Sequence, residues 1–129
     1  MKVLLDTHAF LWWNSGRGAK LSARAREILE DESTDGFLSV VSAYEIAAKA
    51  ARGSLELPVD AGRYVIGRMA RSGFESLSLD LRHVLRAAAL PPVHRDPFDR
   101  MLIAQAQLEA IPIITIDPAI AQYDVEVIW

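Results

Sequence analysis

The sequence predicts an α/β fold: one domain over residues 1–129, with a central parallel β-sheet flanked by helices on both faces. Three observations lead there. Val3-Leu4-Leu5 and Ile113-Ile114-Thr115-Ile116 are continuous apolar runs rather than alternating ones, the mark of strands covered on both faces. Stretches with helical apolar spacing separate the runs, and strands alternating with helices imply right-handed βαβ crossovers. The 129 residues contain no repeat, low-complexity tract or linker, and suffice to bury roughly two-thirds of the unfolded surface in one core.

Taken in order, Val3 to Leu5 is the first strand, and Thr7 to Trp13 a short helix that ends in the loop Asn14-Ser15-Gly16-Arg17-Gly18. Ser22 to Asp31 spaces Ala25, Ile28 and Leu29 as an amphipathic helix. Phe37 to Val41 is the second strand, and Ser42 starts a helix that reaches Arg52 and stops at Gly53. Pro58 to Ser72 carries a helix with Tyr64, Val65, Ile66 and Met69 inward. Phe74 to Leu79 is a third strand, and Asp80 to Leu90 a helix closed by Pro91-Pro92. Pro97 to Glu109 is a helix, Pro112 to Ile116 a strand, Pro118 to Ala121 a helical turn and Val125 to Trp129 a last strand. Pro112 is tolerable as the first residue of its strand.

Composition narrows the setting. Without cysteine the chain has neither disulfides nor thiolate metal sites, which fits a reducing, cytoplasmic location. The apolar run at the start is broken by Asp6 too early for a secretory signal, and no stretch approaches the roughly 18 apolar residues of a membrane span. A net charge of −3 does not settle whether nucleic acid is a partner. Setting four clustered acids aside leaves 13 of the 17 acidic residues against 14 basic ones.

Those four acids carry the functional signal. Asp6 follows the first strand, Glu45 lies one helical turn beyond the second, Asp99 sits in the first turn of the Pro97 helix, and Asp117 follows the Ile113 strand. In a parallel sheet these positions share the carboxyl edge, where open α/β folds bind ligands. Each acid also has a capping role open to it: Asp6 for the helix at Thr7, Glu45 in a capping box with Ser42, Asp117 before Pro118, Asp99 in a first helical turn. Asp96, followed by Pro97, is a helix cap outright. Capping alone does not predict that four acids converge. An uncompensated cluster repels itself, and an all-oxygen donor set suits Mg²⁺ or Mn²⁺.

The motifs around these acids resemble a known family. Leu4-Leu5-Asp6-Thr7-His8-Ala9-Phe10-Leu11-Trp12-Trp13 is similar to the opening of PIN-domain proteins of the VapC toxin type. Ser39 to Lys49, around Glu45, resembles the second acidic motif of that family. His94 to Ala106, with Arg95-Asp96-Pro97-Phe98-Asp99-Arg100, resembles the third, and Thr115-Ile116-Asp117-Pro118 with Tyr123 the fourth. The resemblance spans nearly the whole chain, in the family's order and spacing. It implies a Mg²⁺- or Mn²⁺-dependent endoribonuclease toxin with Asp6, Glu45, Asp99 and Asp117 as its acidic quartet. Asp6 and Asp99 would be the principal metal ligands, with Asp117 and the additional Asp96 in support. It further implies an RNA substrate, a cognate VapB-type antitoxin laid over the acidic groove, and a homodimer or toxin–antitoxin hetero-oligomer. Trp12, Trp13 or the Tyr64–Met69 helix would supply an apolar contact for such an assembly.

Thr7, Ser42 and Thr115 stand beside the acids and would hydrogen-bond ligand carboxylates or satisfy local backbone. Arg95 and Arg100 flank Asp99 as candidates for RNA phosphates, and Lys49 either joins them or pairs with Glu45 one turn away. His8 and His94 are less favoured, because a hard four-acid site needs no imidazole. A phosphatase with Asp6 as nucleophile would want an acid two residues later, where His8 stands, and a lysine beyond Lys49, where there is none. The remaining alternative is a binding module whose acids are all caps, which predicts no stabilisation by divalent ions.

Overall fold

Five parallel strands build the sheet: β1 (Lys2–Leu5), β2 (Asp35–Ser39), β3 (Glu75–Leu77), β4 (Ile113–Ile114) and β5 (Val127–Ile128). The computed structural model describes residues 1–15 and 20–129. Strand order is β3-β2-β1-β4-β5, so the first strand of the chain is the middle of the sheet. Leu5 pairs with Leu38 of β2 on one side and with Ile114 of β4 on the other. The chain steps outward from β1 to β3, then returns to the opposite side of β1, which makes the β1/β4 boundary a topological switch point.

Among the described residues six helices connect and cover the strands: α1 (Thr7–Asn14), α2 (Ala23–Glu30), α3 (Val40–Ala51), α4 (Ala61–Ser72), α5 (Leu81–Ala89) and α6 (Pro97–Glu109). Alternation along β1 divides the core. Val3 and Leu5 face a cluster with Ala9, Phe10, Ala25, Ile46, Tyr64 and Val65, contributed by α1 to α4. Leu4 faces the opposite cluster with Leu90, Leu102, Ile103 and Ala106, at the end of α5 and along α6. Both faces of β1 are therefore dry, and its three apolar side chains are wholly buried. This is why the run could not alternate.

Several boundaries move from their expected places, each for a local reason. The Ser39 hydroxyl accepts from the Val41 amide, so β2 ends at Ser39 and Val40-Val41 opens α3 instead of finishing the strand. A cap outweighs the β-preference of two valines here. The Pro58 helix starts at Ala61 because Asp60 caps it. Within it Tyr64 and Val65 are buried and Met69 partly so, whereas Ile66 points outward at 73 % exposure. The helical turn expected at Pro118 falls at Ile120–Gln122 as a 3-10 turn, because the Asp117 carboxylate first takes the Ala119 amide. Of the loop expected after α1, Gly16, Arg17 and Gly18 lie outside the described residues. Trp12 and Trp13 pack partly buried against the first cluster, Trp12 in edge contact with Trp129. No helix among the described residues is long and apolar enough to cross a membrane.

Two details tighten the frame. Gly36 in β2 lies flat against Phe74, and a Cβ there would come within 2.5 Å of the ring. His83 is 99 % buried in the first turn of α5, where its Nδ1 accepts the Asp80 amide at 3.0 Å, completing a capping box. That acceptor role leaves the proton on Nε2, which donates to Glu109 of α6 at 2.9 Å. The Asp80–His83–Glu109 group is thus a latch between α5 and α6, with both ring nitrogens satisfied by protein.

Candidate active site

The site lies at the carboxyl edge of the sheet, on both sides of the switch point. Asp6 is the first residue beyond β1 and caps α1, its Oδ1 accepting the Thr7 amide at 2.7 Å. Its Oδ2 accepts from Thr115 Oγ1 at 2.8 Å, a bond that crosses the switch point from the end of β4. Both oxygens of this 94 %-buried carboxylate are thereby oriented by the fold. Burial pushes the Asp6 carboxyl above its usual range, against the pull of Thr115, His8 and the Thr7 amide.

Glu45 enters from α3. Because α3 starts at Ser39 and not at Ser42, Glu45 stands in the second turn and takes no part in a capping box. The capping role read for Ser42 and Glu45 in the sequence is therefore replaced by a shared contact: Thr7 Oγ1 lies 2.9 Å from Ser42 Oγ and 2.9 Å from Glu45 Oε1. The other oxygen, Oε2, pairs with Lys49 at 2.6 Å one turn along the helix. Thr7, Ser42, Thr115 and Glu45 are all buried. Thr7, Ser42 and Glu45 form one hydrogen-bonded group, and Thr115 is bonded to Asp6.

Asp99 and Asp117 complete the group from the far side. Asp96 caps α6 through the Phe98 amide, Pro97 takes the first helical position, and Asp99 follows in the first turn. Asp99 is where the electrostatic load concentrates. Burial, then the proximity of Asp6 and Asp96, raises its carboxyl from 3.8 to about 7, with His94 opposing the shift. Asp6, Glu45, Asp96, Asp99 and Asp117, with His8 and Lys49, line one cavity of about 500 Å³. The donor set is oxygen-rich, drawn from separate elements, and carries repulsion that a cation would relieve. These residues fit a hard divalent ion.

His94 is the residue that sequence reasoning undervalued. Its Nε2 lies 2.9 Å from Asp117 Oδ2 and 3.0 Å from Asp99 Oδ2. The available signal was its place just ahead of the Asp96 cap, where the chain turns back toward the switch point. The candidates for RNA contact separate. Arg100 turns inward, its guanidinium donating to the carbonyls of Ala87, Ala88, Leu90, Pro91 and His94, so that it ties the end of α5 to α6. Lys49 is paired with Glu45 but borders the cavity. Arg95 is exposed. Next to the acidic cavity, and sharing His8 and Lys49 with it, a larger groove of about 750 Å³ runs between α1 and α4, lined by Trp12, Tyr64 and Arg68.

Comparison with known proteins bears on the family and the fold. The family model described as the PIN domain matches residues 3–126. No protein of curated function matches the chain by sequence. Among solved structures, VapBC2 from Rickettsia felis bound to a promoter DNA fragment superposes with a TM-score of 0.73 at 10 % identity, covering 99 % of this chain and 98 % of that one. A toxin–antitoxin complex from Klebsiella pneumoniae gives 0.69 at 22 % identity, with 98 % and 96 % covered. DNA-bound VapBC from Salmonella typhimurium gives 0.66 at 13 % identity, with 99 % and 97 % covered. At these identities the likeness is one of fold.

Proposed function

Because the chain belongs to the PIN-domain family, we propose that it is an endoribonuclease toxin of the VapC type, dependent on Mg²⁺ or Mn²⁺. The observation that carries the proposal is the convergence of Asp6, Glu45, Asp99 and Asp117 on one cavity, with the Asp99 carboxyl raised to about 7 by burial and then by Asp6 and Asp96. Caps alone require no such crowding, and a buried like-charge cluster is a cost unless it performs chemistry.

Asp6 and Asp99 would hold the metal, with Asp117 and Asp96 at the rim. A bound divalent ion supplies an acidified water and a counter-charge for the phosphate. The chain's own residues do the rest. The Thr7 amide and the Thr115 hydroxyl fix both Asp6 oxygens, so this ligand needs no reorganisation. Glu45, held by Thr7 and Lys49, is placed to take a proton from the attacking water. Lys49, at the mouth of the cavity, offers a cation to the RNA backbone. Hydrolysis by water, with the ribose 2′-hydroxyl uninvolved, leaves a 5′-phosphate and a 3′-hydroxyl. A VapB-type antitoxin is the partner expected for such a toxin, in a hetero-oligomer or with the toxin as a homodimer, inside the cytoplasm. The complexes formed by the fold's structural neighbours support that expectation.

The test is cleavage of mixed total RNA by the purified protein with Mg²⁺ or Mn²⁺, with EDTA, and in Asp6→Asn and Asp99→Asn variants. Amides keep most capping ability and lose the ligand charge. Metal-dependent cleavage that both variants abolish supports the proposal. Intact RNA under every condition, with no metal-induced rise in melting temperature, turns the assignment to a binding module.

A further inference from the structure

We propose that His94 is a positioning residue for Asp99, held in turn by Asp117, so that the fourth acid acts through the histidine and not as an independent ligand. The inference rests on the nuclease reading above and assigns a division of labour within that site.

The geometry is asymmetric. Asp117 is fully engaged by the fold: Oδ1 accepts the Ala119 amide at 2.9 Å and Oδ2 faces His94 Nε2 at 2.9 Å. Its own amide is tied to Thr115 Oγ1 at 3.0 Å, the same hydroxyl that holds Asp6. Asp99 differs. Among the described residues its carboxylate has one polar contact, His94 Nε2 at 3.0 Å from Oδ2. Without that contact nothing among the described residues orients Asp99 against the repulsion of Asp6.

The imidazole is fixed well enough to serve. Its Nδ1 accepts the Asp96 amide at 3.2 Å, which places the proton on Nε2, where it is donated to Asp117 Oδ2, with Asp99 Oδ2 3.0 Å from the same nitrogen. The His94 amide donates to Tyr123 Oη at 2.7 Å, and that hydroxyl donates to the Pro91 carbonyl at 2.7 Å. The His94 carbonyl accepts from Arg100 at 3.1 Å. Backbone and ring are thus clamped by three bonds, and the clamp ends on an N–H that bonds Asp117, with the Asp99 carboxylate 3.0 Å from the same nitrogen. Partners of this sort, one bond removed from a metal, set the orientation of the ligand they touch.

Substitutions separate reach from bulk. Asparagine matches the Nδ1 side of the ring and keeps an acceptor for the Asp96 amide, but does not extend to the carboxylates. Glutamine places an N–H near the Nε2 position. Mn²⁺ binding, read from the free-ion electron paramagnetic resonance signal during titration, reports on the site without relying on RNA cleavage. His94→Asn should weaken Mn²⁺ binding by about tenfold to a hundredfold, and His94→Gln should recover most of the loss. Asp117→Ala should weaken it too, and the His94→Asn/Asp117→Ala double variant should bind no worse than His94→Asn alone, because the two residues act in series. Melting curves identify any variant that fails to fold, and the glutamine variant keeps the test open in that event. Wild-type affinity in His94→Asn, failure of folded His94→Gln to recover binding, or losses that multiply in the double variant would overturn the positioning role. Wild-type protein that binds Mn²⁺ but leaves RNA whole overturns the nuclease reading alone, and the variant series then still decides the role of His94. Wild-type protein that binds no Mn²⁺ overturns both.

Discussion

Replacing Asp99 with asparagine should make the metal-free protein more stable at pH 8 while removing its proposed activity. The Asp99 side chain is 19 % exposed, and its carboxyl is raised from 3.8 to about 7 by burial and by Asp6 and Asp96. The difference, 7 − 3.8, is about three units, which at about 1.4 kcal/mol each sets a ceiling of about 4 kcal/mol on the cost of ionising Asp99 in the folded state. The folded chain binds this proton more tightly than the unfolded chain. Its contribution to stability is therefore full below about pH 4, and is lost as pH rises to about 7. Asparagine does not titrate, and its oxygen can keep the 3.0 Å contact with His94 Nε2. Wild type and Asp99→Asn should accordingly be equally stable near pH 4 and diverge upward, reaching at pH 8 a gap of up to about 4 kcal/mol, or on the order of 10 °C in melting temperature. Urea unfolding in EDTA, run in parallel across pH 4–8, measures the gap. An Asp99→Asn protein no more stable than wild type at pH 8, or a gap that ignores pH, would refute the electrostatic account of this site.

Three further substitutions test the frame. Arg100→Lys keeps the charge but not the planar fork that reaches five carbonyls, so it should lower unfolding stability by about 2–3 kcal/mol; unchanged urea stability would refute this structural role. Gly36→Ala drives a methyl into Phe74 at 2.5 Å and should cost about 1–3 kcal/mol, visible as an earlier urea midpoint. Ala110, which ends α6 with a φ of 55°, lies where glycine is free of strain. Ala110→Gly should therefore raise the melting temperature slightly, by up to about 1 kcal/mol of stability.

What the sequence revealed followed local chemistry. Helix α6 is read correctly from Pro97 to Glu109 because cap, proline and apolar spacing agree within the segment. Strand β1 is equally plain, since burial on both faces leaves an unbroken apolar run. The acids were found because strand ends and helix starts place them at one edge of a parallel sheet. Other features depend on partners far along the chain. Val40-Val41 looks like strand until the Ser39 hydroxyl is seen to cap the next helix. Arg100 looks like a surface cation until the carbonyls at the end of α5 are placed beside it. His94 meets Asp117 only because the 3-10 turn after β4 folds back over the start of α6. No spacing rule within either segment encodes that meeting.

The order of the strands also has a consequence for timing. The central strand precedes the other four strands, yet its second neighbour is β4, and the Asp6–Thr115 bond joins residues 109 positions apart. During synthesis β1 can pair with β2 early, but its other edge stays open until residues past 114 have emerged. The same late pairing brings Thr115 and Asp117 to Asp6. A growing chain thus lacks the oriented Asp6 carboxylate until Thr115 has emerged, and the proposed site is assembled only as the sheet closes. On the nuclease reading, the ribosome and the message it is translating are shielded by the fold's own sequence of events until Thr115 and Asp117 have emerged.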